Sequence, residues 1–160
     1  SVMDGTLMVS RIGTARVEGG EHLVELLPEY REGLRGLEGF GWVQLLWWAD
    51  RAPEEGRDFL VWPSPYKGGP EELGVFASRS PIRPNPLCLS AAALLGIEPA
   101  RGLLRFAWFD LEPGTPILDL KPYHPSADRV ESPRTPAWCA AWPRSVEASA
   151  DFDWSAVFNF

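Results

Sequence analysis

Apolar positions recur along this chain in short runs cut by glycine and proline, and no long stretch keeps a helical period. Leu7 to Val17 mixes apolar and polar residues as a half-buried strand does. Gly19-Gly20 then supplies a turn that tolerates positive φ, and His22 to Leu27 reads as the returning strand. Pro28 suits a first helical turn; Tyr30, Leu34 and Leu37 share one helical face, and Gly36 and Gly39 end a single short helix. "WVQLLWW", residues 42 to 48, is an almost continuous apolar run that suits a central strand buried on both sides. Ala52 to Pro70 is dense in proline, glycine and charge, which predicts a long loop interrupted by the brief strand "FLVW", 59 to 62. Leu73 to Ala77, "LCLSAAALLGIE" and "LLRFAWFDL" read as consecutive antiparallel strands, the last with Leu104, Phe106 and Trp108 on one face.

Short strands between turn signals, punctuated by 16 prolines, predict a mostly β fold: a small closed or nearly closed antiparallel barrel with one or two short helices. At 160 residues the chain is long enough for one domain with a substantial core and short for two, so residues 1 to 160 are read as a single domain. After Pro122 the chain is rich in proline and tryptophan, and 126 to 160 reads as an extension. Its Trp154, Phe158 and Phe160 either complete the core or cap a partner subunit.

Charge narrows the choice of partner. Lys and Arg total 15 against 22 Asp and Glu, a formal net charge of −7. That balance opposes general attraction to nucleic acid, so an RNA partner needs a local basic patch or one completed by a second subunit. Cys88 and Cys139 stand far apart, outside any CxxC or Cys/His cluster, and predict neither a disulfide framework nor a metal site. No apolar run reaches membrane-spanning length, the start "SVMDGTLMV" lacks the charge and apolar pattern of a leader, and the cytoplasm is the expected location.

Two stretches carry candidate chemistry. In "GVFASRSPIRPNPLCLS", residues 74 to 90, Ser80-Pro81, Arg83-Pro84 and Asn85-Pro86 restrict the backbone strongly. Such a loop displays Arg79, Arg83 and Asn85 at low entropic cost, as a binding site needs; equally, the prolines turn a strand corner and the arginines stay solvated or paired. In "DLEPGTPILDLKPY", residues 110 to 123, Glu112-Pro113-Gly114 is a turn. Beyond it, alternation puts Thr115, Ile117, Asp119, Lys121 and Tyr123 on one face of a strand. Asp119 and Lys121 also fit an ordinary surface ion pair. There is no GxGxxG after a strand and no GxxxxGK[ST], and His22 and His124 lack the partners of a zinc hydrolase or a triad.

The first stretch together with "DLEPGTPILDLKPYHP", in this order and after "YREGLRGLEGF", closely resembles the signatures of the TrmO family, also called TsaA-like or YaeB-like, over about residues 10 to 125. The resemblance implies a small β-barrel that binds S-adenosylmethionine (SAM) without a Rossmann fold, as a homodimer, and methylates N6 of threonylcarbamoyladenosine beside the tRNA anticodon. Carried over by motif, Arg79, the backbone near Leu89 and the Pro113-Gly114-Thr115 turn contact SAM, with Ala49 and Asp50 at the end of a strand lining that pocket. Arg83 and Asn85 fall at substrate-binding positions, and Asp119, Lys121 and Tyr123 at catalytic ones, with Asp119 the candidate base. The chain departs from the family pattern in four places. Ala49-Asp50 stands for Phe-His, Cys88 for Gly and Pro113 for Asp, and "VEGGE" replaces a longer segment with a Pro-x-Gln-like element. Two other function classes stay open: a related enzyme acting on a small metabolite in a cavity lined by Trp47, Trp48 and Trp62, and a diverged barrel that binds without chemistry.

Overall fold

A computed structural model describes residues 5–160; residues 1–4, part of the stretch read against a leader, lie outside the description. The chain divides into two compact units, one built from the segment up to Arg51 and from Pro86–Asp128, the other from Ala52–Asn85 and Arg129–Phe160.

The first unit is the expected antiparallel barrel, and it is closed. The strands of the chain are β1 Gly13–Glu18, β2 Glu21–Leu26, β3 Trp42–Trp48, β4 Val61–Pro63, β5 Glu72–Gly74, β6 Leu87–Glu98, β7 Leu103–Phe106 and β8 Pro116–Pro122. Six of them pair in the order β1-β2-β7-β6-β3-β8, with β8 returning to β1. Closure removes the open edges that would otherwise template aggregation. Gly19 and Gly20, at φ 57° and 81°, make the β1–β2 turn with the two positive φ values that a tight hairpin requires. Gly13 sits where β1 meets both β2 and β8, and a Cβ there would lie 2.6 Å from the Glu25 carbonyl oxygen. Val43, Leu45, Val24, Leu104 and Ile117 fill the barrel and are fully buried, with Phe106 beside them.

Several local expectations give way to tertiary context. The first strand begins at Gly13 rather than Leu7, and Leu7, Met8 and Val9 are exposed. The single helix becomes two 3-10 helices, Pro28–Leu34 and Leu37–Gly39, because Gly36 at φ 87° breaks the run; Leu34 and Leu37 are buried while Tyr30 is exposed. β7 stops at Phe106, so Trp108, 63% exposed, leaves the face that Leu104 and Phe106 keep. β3 is central, as expected, but its inward positions Val43 and Leu45 are buried whereas Trp42, Gln44 and Leu46 on the outer wall are only half-buried.

One correction bears on the site. The β3–β8 register runs Leu45 to Leu120 and Leu46 to Asp119, then Trp47 to Ile117, so Leu118 is the extra residue of a bulge. A strand that gains a residue switches faces: Ile117 points inward, and beyond the bulge Leu120 does so while Asp119 and Lys121 turn outward. The five residues from Thr115 to Tyr123 therefore do not share one face.

In the second unit β4 and β5 form a two-stranded antiparallel sheet, and Val75–Ala77 follows as a 3-10 helix. The expected strand at Leu73 to Ala77 thus pairs with β4 and not with β6, and the expected 59–62 strand shifts to β4 and leaves Phe59 and Leu60 exposed. The extension builds an aromatic cluster on Tyr66: Trp138 stacks on its ring at 5.1 Å, and Trp142, Trp154 and Phe158 continue the contacts. Trp154 and Phe158 thus pack in a small aromatic core of their own unit and not in that of the barrel, and Phe160 stays exposed while stacked on Phe158. Val157 and Asn159 bind back to the loop through Lys67 N–H to Val157 O and Asn159 N–H to Pro65 O.

Two outcomes follow from this packing. Replacing Leu45 by Ala, with no room in a closed barrel for the walls to collapse, is expected to cost about 2–5 kcal/mol, read from the denaturant midpoint. Burial, with a smaller contribution from the nearby Cys139 charge, holds the Tyr66 phenol above its ordinary value of 10.0. The stability it contributes is complete below that value and is lost as pH rises through the raised one. In an alkaline phenolate absorbance titration one of the three tyrosines is therefore expected to ionise late, and Tyr66→Phe to remove that step.

Candidate functional site

The end of the barrel at which β3 exits gathers five of the residues singled out by sequence. Ala49 is buried and its N–H donates to Pro86 O at 2.8 Å, which fixes the exit, and Asp50 follows it into solvent. Arg51 then reaches the β7–β8 connection: Nη1 lies 3.0 Å from Glu112 Oε2, and Nη2 donates to Pro113 O at 2.9 Å. The turn is closed from within by Thr115, whose N–H and Oγ1 both donate to Glu112 O, at 3.2 and 2.7 Å. Gly114 N–H donates to Ala15 O at 2.8 Å, and its φ of 89° is one that glycine adopts without strain. Ala49, Asp50, Pro113, Gly114 and Thr115 thus come together, joined by an arginine that the sequence reading passed over.

The other barrel candidates are spread along the wall. Leu89 and Asp119 flank Leu46 on either side, so the three stand in a row across β6, β3 and β8. Asp119 Oδ2 lies 2.9 Å from Lys121 Nζ, and its Oδ1 accepts the Leu120 N–H at 2.9 Å, so both oxygens are engaged. The hydrogen bond and charge of Asp119 hold the Lys121 amine above its usual range. Tyr123, whose N–H donates to Trp42 O, is at the opposite end of the barrel from the Gly114 turn: β3 runs from Trp42 there to its exit at Trp48. The structure does not bring it to the turn. Trp47 and Trp48 face opposite sides of β3, so they do not line one cavity.

In the second unit Arg79 and Asn85 are exposed, and Arg83 is half-buried. Arg83 Nη1 donates to Ser78 O and Ser80 O, both at 3.1 Å. Buried Ser78 donates to Val75 O and accepts the Ser80 N–H, and Ser80 Oγ accepts the Ile82 N–H. The loop is therefore stiffened by a ladder of serine turns as well as by its prolines. Ile82 packs on Gly56, where a Cβ would lie 2.4 Å from its Cγ2.

Besides Arg51, two further polar residues, Ser90 and Asp110, escaped the sequence reading. Ser90 takes an inward position opposite Leu45 on β6; its Oγ receives the Trp47 indole N–H at 3.0 Å and donates to Asp110 Oδ1 at 3.1 Å. A lone hydroxyl in "LCLSAAALL" was the available signal. Among the described residues no three His, Cys, Asp or Glu side chains cluster in a metal-binding arrangement, and no helix is long and apolar enough to cross a membrane.

Comparison with known proteins places this arrangement. The family model of the tRNA-methyltransferase O N-terminal domain matches residues 12–129. A probable S-adenosyl-L-methionine-binding protein of Pyrococcus abyssi is 40% identical over 131 residues, 82% of this chain and 67% of its own. A tRNA (adenine(37)-N6)-methyltransferase of Eikenella corrodens is 44% identical over 91 residues, covering 56% of this chain and 51% of that protein. The crystal structure of TrmO from Pseudomonas aeruginosa superposes with a TM-score of 0.64 at 33% identity, over 86% of this chain and 62% of that one. The chain therefore spans about six tenths of the TrmO chain it matches. With both signature stretches inside the matched residues and the closed barrel in common, the chain belongs to the tRNA-methyltransferase O N-terminal domain family.

Proposed function

We propose that this chain binds S-adenosylmethionine and transfers its methyl group to a nitrogen of tRNA, N6 of a threonylcarbamoyladenosine next to the anticodon, as a cytoplasmic homodimer. The observation that carries the reading is the gathering of Ala49-Asp50 and Pro113-Gly114-Thr115 at one barrel end, joined by Arg51. The residues suit the methyl donor. Gly114 leaves the turn's backbone open, since a Cβ there would meet nothing within 4 Å, and a ligand can approach it closely. Asp50 is an exposed carboxylate near that turn, in a chain of net charge −7, which a sulfonium cation tolerates. On the barrel unit the Leu89 backbone and the 113–115 turn are the donor contacts; on the second unit the family motif assigns Arg79 to the donor and Arg83 and Asn85 to the acceptor. When bound, SAM supplies an activated methyl group, and the protein's task is to hold an acceptor in line with it.

The names of the relatives support donor and acceptor alike. Two free cysteines suit a reducing cytoplasm, and Leu87, Leu95 and Trp108, exposed on the barrel unit, provide apolar surface for a second copy. Three observations favour a small acceptor instead: the chain is acidic, Lys121 is paired with Asp119, and Arg83 spends part of its guanidinium on its own loop.

Titration calorimetry with SAM and with its demethylated product tests the donor site. The wild-type chain is expected to bind at least one of them and Arg79→Ala neither; wild type giving no heat with either compound would refute it and favour the non-catalytic barrel. Light scattering is expected to return twice the 17.8 kDa chain mass, and a monomer mass would contradict the dimer.

A further inference from the structure

The acceptor in such a transfer begins as an N–H and must lose its proton. The carboxylate that sequence offers for this, Asp119, is turned to the outer wall with both oxygens engaged. Asp110 differs on each count. It is exposed, it belongs to the same β7–β8 connection as the Gly114 turn, and it reaches Ser90, whose position opposite fully buried Leu45 is on the inner side of the barrel. Trp47, two residues before the Ala49 exit, completes the chain.

The direction of that chain is set by chemistry. An indole N–H can only donate, so Ser90 Oγ accepts from Trp47 and has one proton left to give, which goes to Asp110 Oδ1. Oδ2 has no hydrogen-bond or ion-pair partner among the described residues. The result is a carboxylate held by one oxygen and open at the other, at the barrel end where the strand exit and the turn are joined.

We propose that Asp110, oriented by Ser90 and Trp47, is the group that takes the acceptor's proton; this rests on the methyl-transfer reading above. As the acceptor nitrogen forms its bond to the methyl carbon, the carbon–sulfur bond breaks with its electron pair passing to sulfur, and the nitrogen's proton moves to Asp110 Oδ2. Trp47 and Ser90 are positioning residues: they fix which oxygen is offered and touch no reacting atom.

The test compares Asp110→Asn, Ser90→Ala and Asp119→Asn in the full chain. It uses SAM calorimetry, single-turnover transfer to tRNA bearing threonylcarbamoyladenosine, and hydrogen exchange of the Trp47 indole N–H by NMR. Asp110→Asn is expected to slow transfer by about 100-fold or more while SAM affinity stays within about two-fold. Ser90→Ala is expected to slow transfer less, to shift the pH–rate profile and to speed exchange of the Trp47 indole proton. Wild-type rates in Asp110→Asn, a matching loss of SAM affinity, or the large loss falling on Asp119→Asn instead would overturn the proposal. Failure of wild type to bind SAM would overturn the methyl-transfer reading, whereas an unprotected Trp47 indole proton in wild type would overturn the Asp110 chain by itself.

Discussion

Hydrogen bonding along both edges of β3 is the constraint on which the barrel end depends. Its residues pair with β6 from Trp42 to Trp48 and with β8 from Val43 to Trp47, so its backbone groups are satisfied without water. A strand held this way cannot slip by one residue without turning Val43 and Leu45 out of the core and Gln44 into it. What leaves its end, Ala49, Asp50 and Arg51, is therefore delivered to a fixed place. The Arg51 contacts to Glu112 and Pro113 transmit that fixity to a turn more than sixty residues later in the chain.

The barrel was legible in sequence because its strands satisfy local rules: a largely apolar stretch of strand character in 87–98, two positive-φ glycines at 19 and 20, and an apolar run at 42–48 long enough for one strand. What was not legible depends on pairing. The bulge at Leu118 has no local signature, since its cause is the registry of β3 against β8, yet it decides that Asp119 faces out while Ile117 faces in. Leu73 to Ala77 has strand composition, but its partner is β4. Arg51, Ser90 and Asp110 look like ordinary surface or strand residues until the fold brings 51 to 112 and 90 to 110. The signature motifs, by contrast, name residues whose neighbours are already adjacent in sequence.

Rigidity in the 78–86 loop comes from two independent devices. Proline removes backbone freedom from the unfolded chain, and the Ser78–Ser80 ladder with Arg83 adds bonds that exist only when the loop is folded. Arg83 therefore has a structural duty that its motif position does not disclose, and loss of its side chain would loosen the display of Arg79 as well as remove a charge. The same combination of local restraint and side-chain capping closes the 112–115 turn, through Thr115 and Glu112 O.

Arg51 also bears on the departures from the family pattern. Where the resemblance leads one to expect Asp before Gly-Thr-Pro, this chain has Pro113, which removes a carboxylate from the turn and a backbone donor with it. Glu112 restores a carboxylate one residue earlier, and Arg51 engages it together with the Pro113 carbonyl. Because both partners are largely exposed, the pair adds little to overall stability. Its effect is geometric: one guanidinium fixes two atoms of the turn relative to the β3 exit. A substitution that looks like decay of the motif is thus offset by a contact from a different strand, and the turn keeps the shape that Gly114 and Thr115 require.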